Sequence, residues 1–206
     1  MAPLQSTTRS LATAAIACFV YFGLALLLMH LVKPEFSPVN HMMSDYAVGR
    51  YGWLMQTGFM ALSGGSLMLL LGLARSGPSS IVARFGRFFL GIASIGLVVS
   101  ALFKTDLDGA PSTRAGEIHL VSFLVNISSI ILASVLLSIS FGSDPRWRTY
   151  QRTAVRLVIL VILCFVLQFL TLHRGMPYGL TNRLFVAAVF AWFLSTSIRL
   201  RALTIE

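Results

Sequence analysis

Six apolar runs constrain this chain more than any other feature, at 11–32, 52–73, 88–103, 118–141, 157–172 and 184–198. A helix needs about 17–25 apolar residues to cross a bilayer. In hydrocarbon each backbone N–H and C=O must find its partner within the protein, which a helix provides along its own length. The third, fifth and sixth runs are short for a span, and flanking Arg and Lys extend them by snorkelling. The expected fold is therefore all-α, a polytopic transmembrane bundle of six helices in a single domain over 1–206. The helices are expected at about 11–32, 52–73, 86–104, 118–141, 155–173 and 179–199.

Composition supports this reading. Charged residues make up 11% of the 206, against about 25% in a typical soluble domain. The first run is longer than the roughly 7–15-residue core of a signal peptide and ends at Lys33-Pro34 with no small-x-small site, so a retained first helix is expected. The net charge of +9 does not indicate nucleic acid, because the basic residues sit in short segments between apolar runs, where they set topology. Ten of the 16 Lys and Arg fall on the side holding the two termini, Arg75–Arg87 and Arg146–Arg156. Five of the seven acids fall on the other side. The positive-inside rule then makes both termini cytoplasmic in a multi-pass cell-membrane protein. The 146–156 segment is expected to be a basic inner loop touching anionic lipid.

Cys18 and Cys164 lie within apolar runs and read as packing residues. Gly58, Ala61, Gly65 and Gly72 share one face of the second helix and predict close helix approach.

With this topology all four histidines fall toward the extracytoplasmic face, together with most of the acids. Titratable groups at membrane depth are functional candidates. His41, Ser44, Asp45 and Tyr46 follow the first helix, Asp106 follows the third, and His173 ends the fifth. His119, Ser122, Asn126 and Ser129 step by three or four residues down one face of the fourth helix. Gln56, Ser63, Gln168 and Thr171 are placed to face that stripe. The stripe predicts either a polar cavity open to the outside or hydrogen bonds that only hold helices together.

A helical turn would put His41 and Asp45 on one face. With His119 and His173 they supply His and carboxylate donors of the kind zinc takes, and an open position there would activate water. Zinc is thus a cofactor this donor set could take, without a spacing such as HExxH to anchor it. Arg183 lies below the membrane interface if the sixth helix begins near Tyr178, and its permanent charge then requires a partner. Asp45 is the first candidate, then Asp106.

The chain resembles the domain-of-unknown-function 998 family of small membrane proteins. The resemblance is carried by Ser44-Asp45-Tyr46, Phe103-Lys-Thr-Asp106, Gly116-x-x-His119 and Gly179-Leu-x-Asn182-Arg183-Leu184, and it spans nearly the whole chain. It implies a six-helix membrane fold and no particular reaction. A looser similarity links the outer Ser, Asp and His set to intramembrane lipid hydrolases. Three functions follow as expectations: a binding module whose polar cavity takes a lipid headgroup or small amphiphile, a membrane-embedded zinc-dependent lipid hydrolase, or a structural and assembly protein. The partner expected is membrane lipid or an amphiphilic small molecule, not nucleic acid.

Overall fold

A computed structural model describes residues 2–173 and 175–204, except the side chains of residues 2–4. Arg174, which the topology above puts on the outer side, lies outside the described residues. Six α-helices run as α1 (Ala2–Val32), α2 (Gly52–Ser76), α3 (Ile81–Leu102), α4 (Arg114–Ser140), α5 (Pro145–Thr171) and α6 (Tyr178–Ala202). Two short 3-10 helices, η1 (Met43–Ala47) and η2 (Phe141–Ser143), interrupt the connections. Among the described residues there are no strands. Six helical segments of 22 to 30 residues are each long and apolar enough to cross a membrane. The chain is a multi-pass membrane protein.

Each helix packs on its neighbours in the sequence, and α6 returns to α1, which closes a ring. One end of the ring gathers the C-termini of α1, α3 and α5, the N-termini of α2, α4 and α6, and η1. The opposite end gathers η2 and the α2–α3 turn, where Trp147 donates its indole N–H to Ser76 O at 3.0 Å. The glycine face of α2 packs as expected. A Cβ on Gly65 would stand 2.6 Å from the Phe19 ring of α1, and one on Gly72 would stand 2.5 Å from Leu200 of α6.

Helix starts depart from the apolar windows because caps set them. Ser80 accepts the Ala83 N–H and starts α3 well before its apolar stretch. Asp144 accepts the Arg146 N–H with Pro145 at the first helical position, so α5 begins there. The basic stretch 146–156 is accordingly three turns of helix and not a loop. α6 begins at Tyr178, which leaves Arg183 one turn inside the helix and half-buried.

Candidate functional site

The residues singled out from the sequence collect at the η1 end, in three neighbouring places.

The first is a clamp around Arg183. Its Nε donates to His30 Nε2 at 2.9 Å, Nη1 to the carbonyls of His41 (2.7 Å) and Gly179 (2.8 Å), and Nη2 to the Tyr46 hydroxyl at 3.1 Å. The Tyr46 hydroxyl in turn donates to Phe36 O at 3.0 Å. Every one of these acceptors is neutral. The expected Arg183–Asp45 ion pair is absent; the ion pair found among the described residues joins Arg146 to Asp144. A planar guanidinium satisfies four acceptors converging from three segments, which a single carboxylate would not do. Lys33 works in parallel. It is buried, donates to the carbonyls of Tyr46 and Val48, and lies 4.5 Å from the Phe36 ring centroid. Burial pushes its ammonium below the ordinary lysine range. The two cations pin the connection between α1 and α2 through its carbonyls.

The second place is a pocket of about 300 Å³ on the end surface. Asp45, Asp106, Asp108 and His173 line it, with Thr105 and Tyr178. The Asp45 carboxylate is buried and accepts Met42 N–H at 2.9 Å. Desolvation raises its pKa to about 6, opposed by that hydrogen bond and by the charges of His41 and Arg183. Asp106 accepts both the N–H and the hydroxyl of Thr113, each at 2.8 Å, and so closes the connection between α3 and α4.

The third place is an interior cavity of about 90 Å³ in the middle of the ring, beneath η1. Its polar wall is Ser44, Ser100, His119, Asn126 and Asn182; the rest is apolar. His119 bonds through Nδ1 to Phe103 O at 2.7 Å. A carbonyl only accepts, so His119 Nδ1 carries a proton and donates it.

The polar stripe of α4 faces α3 and not α2 or α5. Asn126 Nδ2 donates to Ser100 Oγ (3.1 Å), and Ser122 Oγ donates to Gly96 O (2.7 Å) while lying 2.9 Å from Ser100 Oγ. Ser122 has one proton and gives it to Gly96, so Ser100 donates to Ser122 and the chain runs in one direction. Of the other polar groups expected to face the stripe, Gln168 is buried with neither amide atom hydrogen-bonded, and three turn elsewhere. Gln56 and Ser63 donate to the carbonyls of Ala101 and Ser94 on α3, and Thr171 pairs with Thr181 on α6. The stripe is thus helix–helix bonding on one side, while His119 and Asn126 also border the cavity.

Residues 10–199 match the family described as Protein of unknown function (DUF998). The chain belongs to that family. No curated protein and no solved structure matches it. The segments on which the resemblance was noted have physical roles in the structure. Gly116 makes room for a carboxylate, since a Cβ there would stand 2.0 Å from Asp106 Oδ2. Gly179 makes room for a backbone, since a Cβ there would stand 2.5 Å from His41 O, and its own N–H donates to Val39 O at 2.8 Å. Asn182 Oδ1 accepts the Met43 N–H at 3.2 Å, and Arg183 completes the clamp.

The zinc candidates do not converge. His41 and Asp45 do not share a helical turn, because η1 begins only at Met43. His119 is bound to Phe103 O inside the bundle, and His173 is on the end surface. Among the described residues no three His, Cys, Asp or Glu side chains are grouped to hold a metal ion. Ser44 and Asp45 likewise part company, Ser44 facing the cavity and Asp45 the end pocket. Sequence reasoning overlooked His30 and Lys33 as site residues. The available signal was a cationic or imidazole side chain within a turn of a helix end: His30 was counted only with the outer histidines, and Lys33 only as the end of the first run.

Proposed function

We propose that this DUF998 protein is a membrane-embedded binding module whose η1 end faces the outside and takes the headgroup of a lipid or small amphiphile. The observation that carries the reading is the end pocket. Carboxylates from three positions, Asp45, Asp106 and Asp108, line one opening of about 300 Å³, beside the hydroxyl-bearing Thr105 and Tyr178. Carboxylates are acceptors and favour a cationic donor, so the headgroup suited to the pocket carries an ammonium. The hydrolytic alternative has less support, with Ser44 and Asp45 on opposite sides of η1 and the histidines dispersed.

The test compares lysophosphatidylethanolamine with lysophosphatidylglycerol of the same chain, on protein exchanged into amphipol and read by native mass spectrometry. The ethanolamine lipid should be retained preferentially, and Asp45→Asn should narrow the preference. Equal retention of the two lipids would overturn the reading.

A further inference from the structure

η1 is a partition between two compartments. Met42 and Asp45 line the end pocket, while the intervening Met43 and Ser44 line the interior cavity. One 3-10 turn is therefore the floor of the first and the roof of the second. It is held by few side-chain bonds on the cavity side, chiefly Met43 N–H to Asn182 Oδ1.

The interior cavity is graded along the bundle axis. Ser44, His119 and Asn182 stand near the roof, Ser100 and Asn126 lie partway down, and Phe22, Ile130 and Val189 wall the deep end. Helices rise about 1.5 Å per residue, so the stretch of α4 from His119 to Ile130 measures about 16 Å. A volume of about 90 Å³ spread over that depth is narrow. An apolar cavity of roughly 150 Å³ stays dry and lodges benzene. This cavity is smaller and longer, which suits the end of one unbranched alkyl chain rather than a ring or two chains. The polar roof, the narrow bore and the apolar floor together have the polarity order of a single-chain amphiphile.

We infer that the interior cavity binds the alkyl chain of a single-chain amphiphile, entering past η1 from the end pocket that holds its headgroup. The inference rests on the headgroup reading for the position of the polar end. The cavity's own part is the recognition of chain number and length. Ile130 and Val189 set the depth available, and His119 Nε2 and Asn182 mark the level at which the chain gives way to polar atoms.

The experiment uses the full chain in amphipol, with 16-carbon lysophosphatidylethanolamine and the chain-free glycerophosphoethanolamine as probes. Ile130→Phe fills the deep end and should weaken the lysolipid by about tenfold or more, as expected when several methylenes lose their apolar site. The chain-free probe should bind this variant as it binds the unaltered protein. Val189→Ala enlarges the same end and should shift the preferred chain toward longer lengths, which keeps the test decisive if Ile130→Phe melts early. Unchanged lysolipid affinity in a folded Ile130→Phe protein, or unchanged chain-length preference in Val189→Ala, would overturn the inference. Failure of the headgroup reading is a different result: the chain-free probe then fails to bind the unaltered protein, while chain binding still depends on Ile130.

Discussion

Arg183 Nε donates to His30 Nε2 at 2.9 Å, and His30 Nδ1 lies 2.7 Å from the Leu26 carbonyl one turn back in its own helix. Both partners of the imidazole are thereby fixed. Nδ1 carries the proton and donates to Leu26 O, and Nε2 accepts from the guanidinium. The relationship ties the C-terminal end of α1 to the second turn of α6 and closes the ring. Arg183→Ala should lower stability by roughly 2–4 kcal/mol, because it leaves several buried acceptors without a donor. His30→Ala should be non-additive with it by about 0.5–3 kcal/mol, whereas Asp45→Ala, which shares no hydrogen bond with Arg183, should couple to it more weakly, through charge alone. Arg183→Lys should not rescue, since a point ammonium cannot serve acceptors from three segments at once. Thermal unfolding of the two double-mutant cycles in one detergent measures all of this, and strong Asp45 coupling would restore the ion-pair arrangement.

Asp45 carries a pH signature. Its carboxyl is raised from 3.8 to about 6 in the folded protein, so the folded state holds the proton more tightly than the unfolded chain. The stability that belongs to the protonated form is complete below about pH 4 and is lost as pH rises through 6. Asp45→Asn keeps an acceptor for Met42 N–H and removes the buried charge. It should therefore raise stability above pH 7 by about 2–3 kcal/mol and change it little at pH 4. Denaturation followed from pH 4 to 8 measures the difference, and a variant less stable at pH 8 would show that the ionised carboxylate is needed between the Lys33 and Arg183 cations.

Gly116 and Asp106 should be coupled through space. A methyl on residue 116 would meet Asp106 Oδ2 at 2.0 Å and Cγ at 2.4 Å, so the carboxylate would have to leave its place on Thr113. Gly116→Ala is expected to cost roughly 1–3 kcal/mol. In an Asp106→Ala background the same substitution should cost much less. Equal costs in both backgrounds would mean that the α3–α4 connection moves aside freely.

Orientation is open to direct labelling. With the η1 end outside, Pro111→Cys should react with an impermeant thiol reagent added to intact cells, and Ser80→Cys should not. Both changes are made in a background lacking Cys18 and Cys164. Reaction at position 80 would place the end pocket on the cytoplasmic side.

The sequence alone determined the six spans, the close α2 face and the end at which polar residues gather. Apolar length and small-residue spacing are local properties, and the bilayer leaves few alternatives to a helix for such runs. The start of α6 at Tyr178, and with it the depth of Arg183, was readable for the same reason. The start of α5 was not read, because Asp144 and Pro145 cap the helix ahead of its apolar window. Only the tertiary structure decided what each polar residue does. Arg183 finds His30 and Tyr46 across more than a hundred residues of chain, and the stripe of α4 turns toward Ser100 and Gly96. Asp45 and Ser44, adjacent in sequence, face different compartments because a 3-10 turn swings successive side chains by about 120°. Hydrogen-bond partners depend on how helix ends converge and which carbonyls they leave free, and that is a property of the assembled ring.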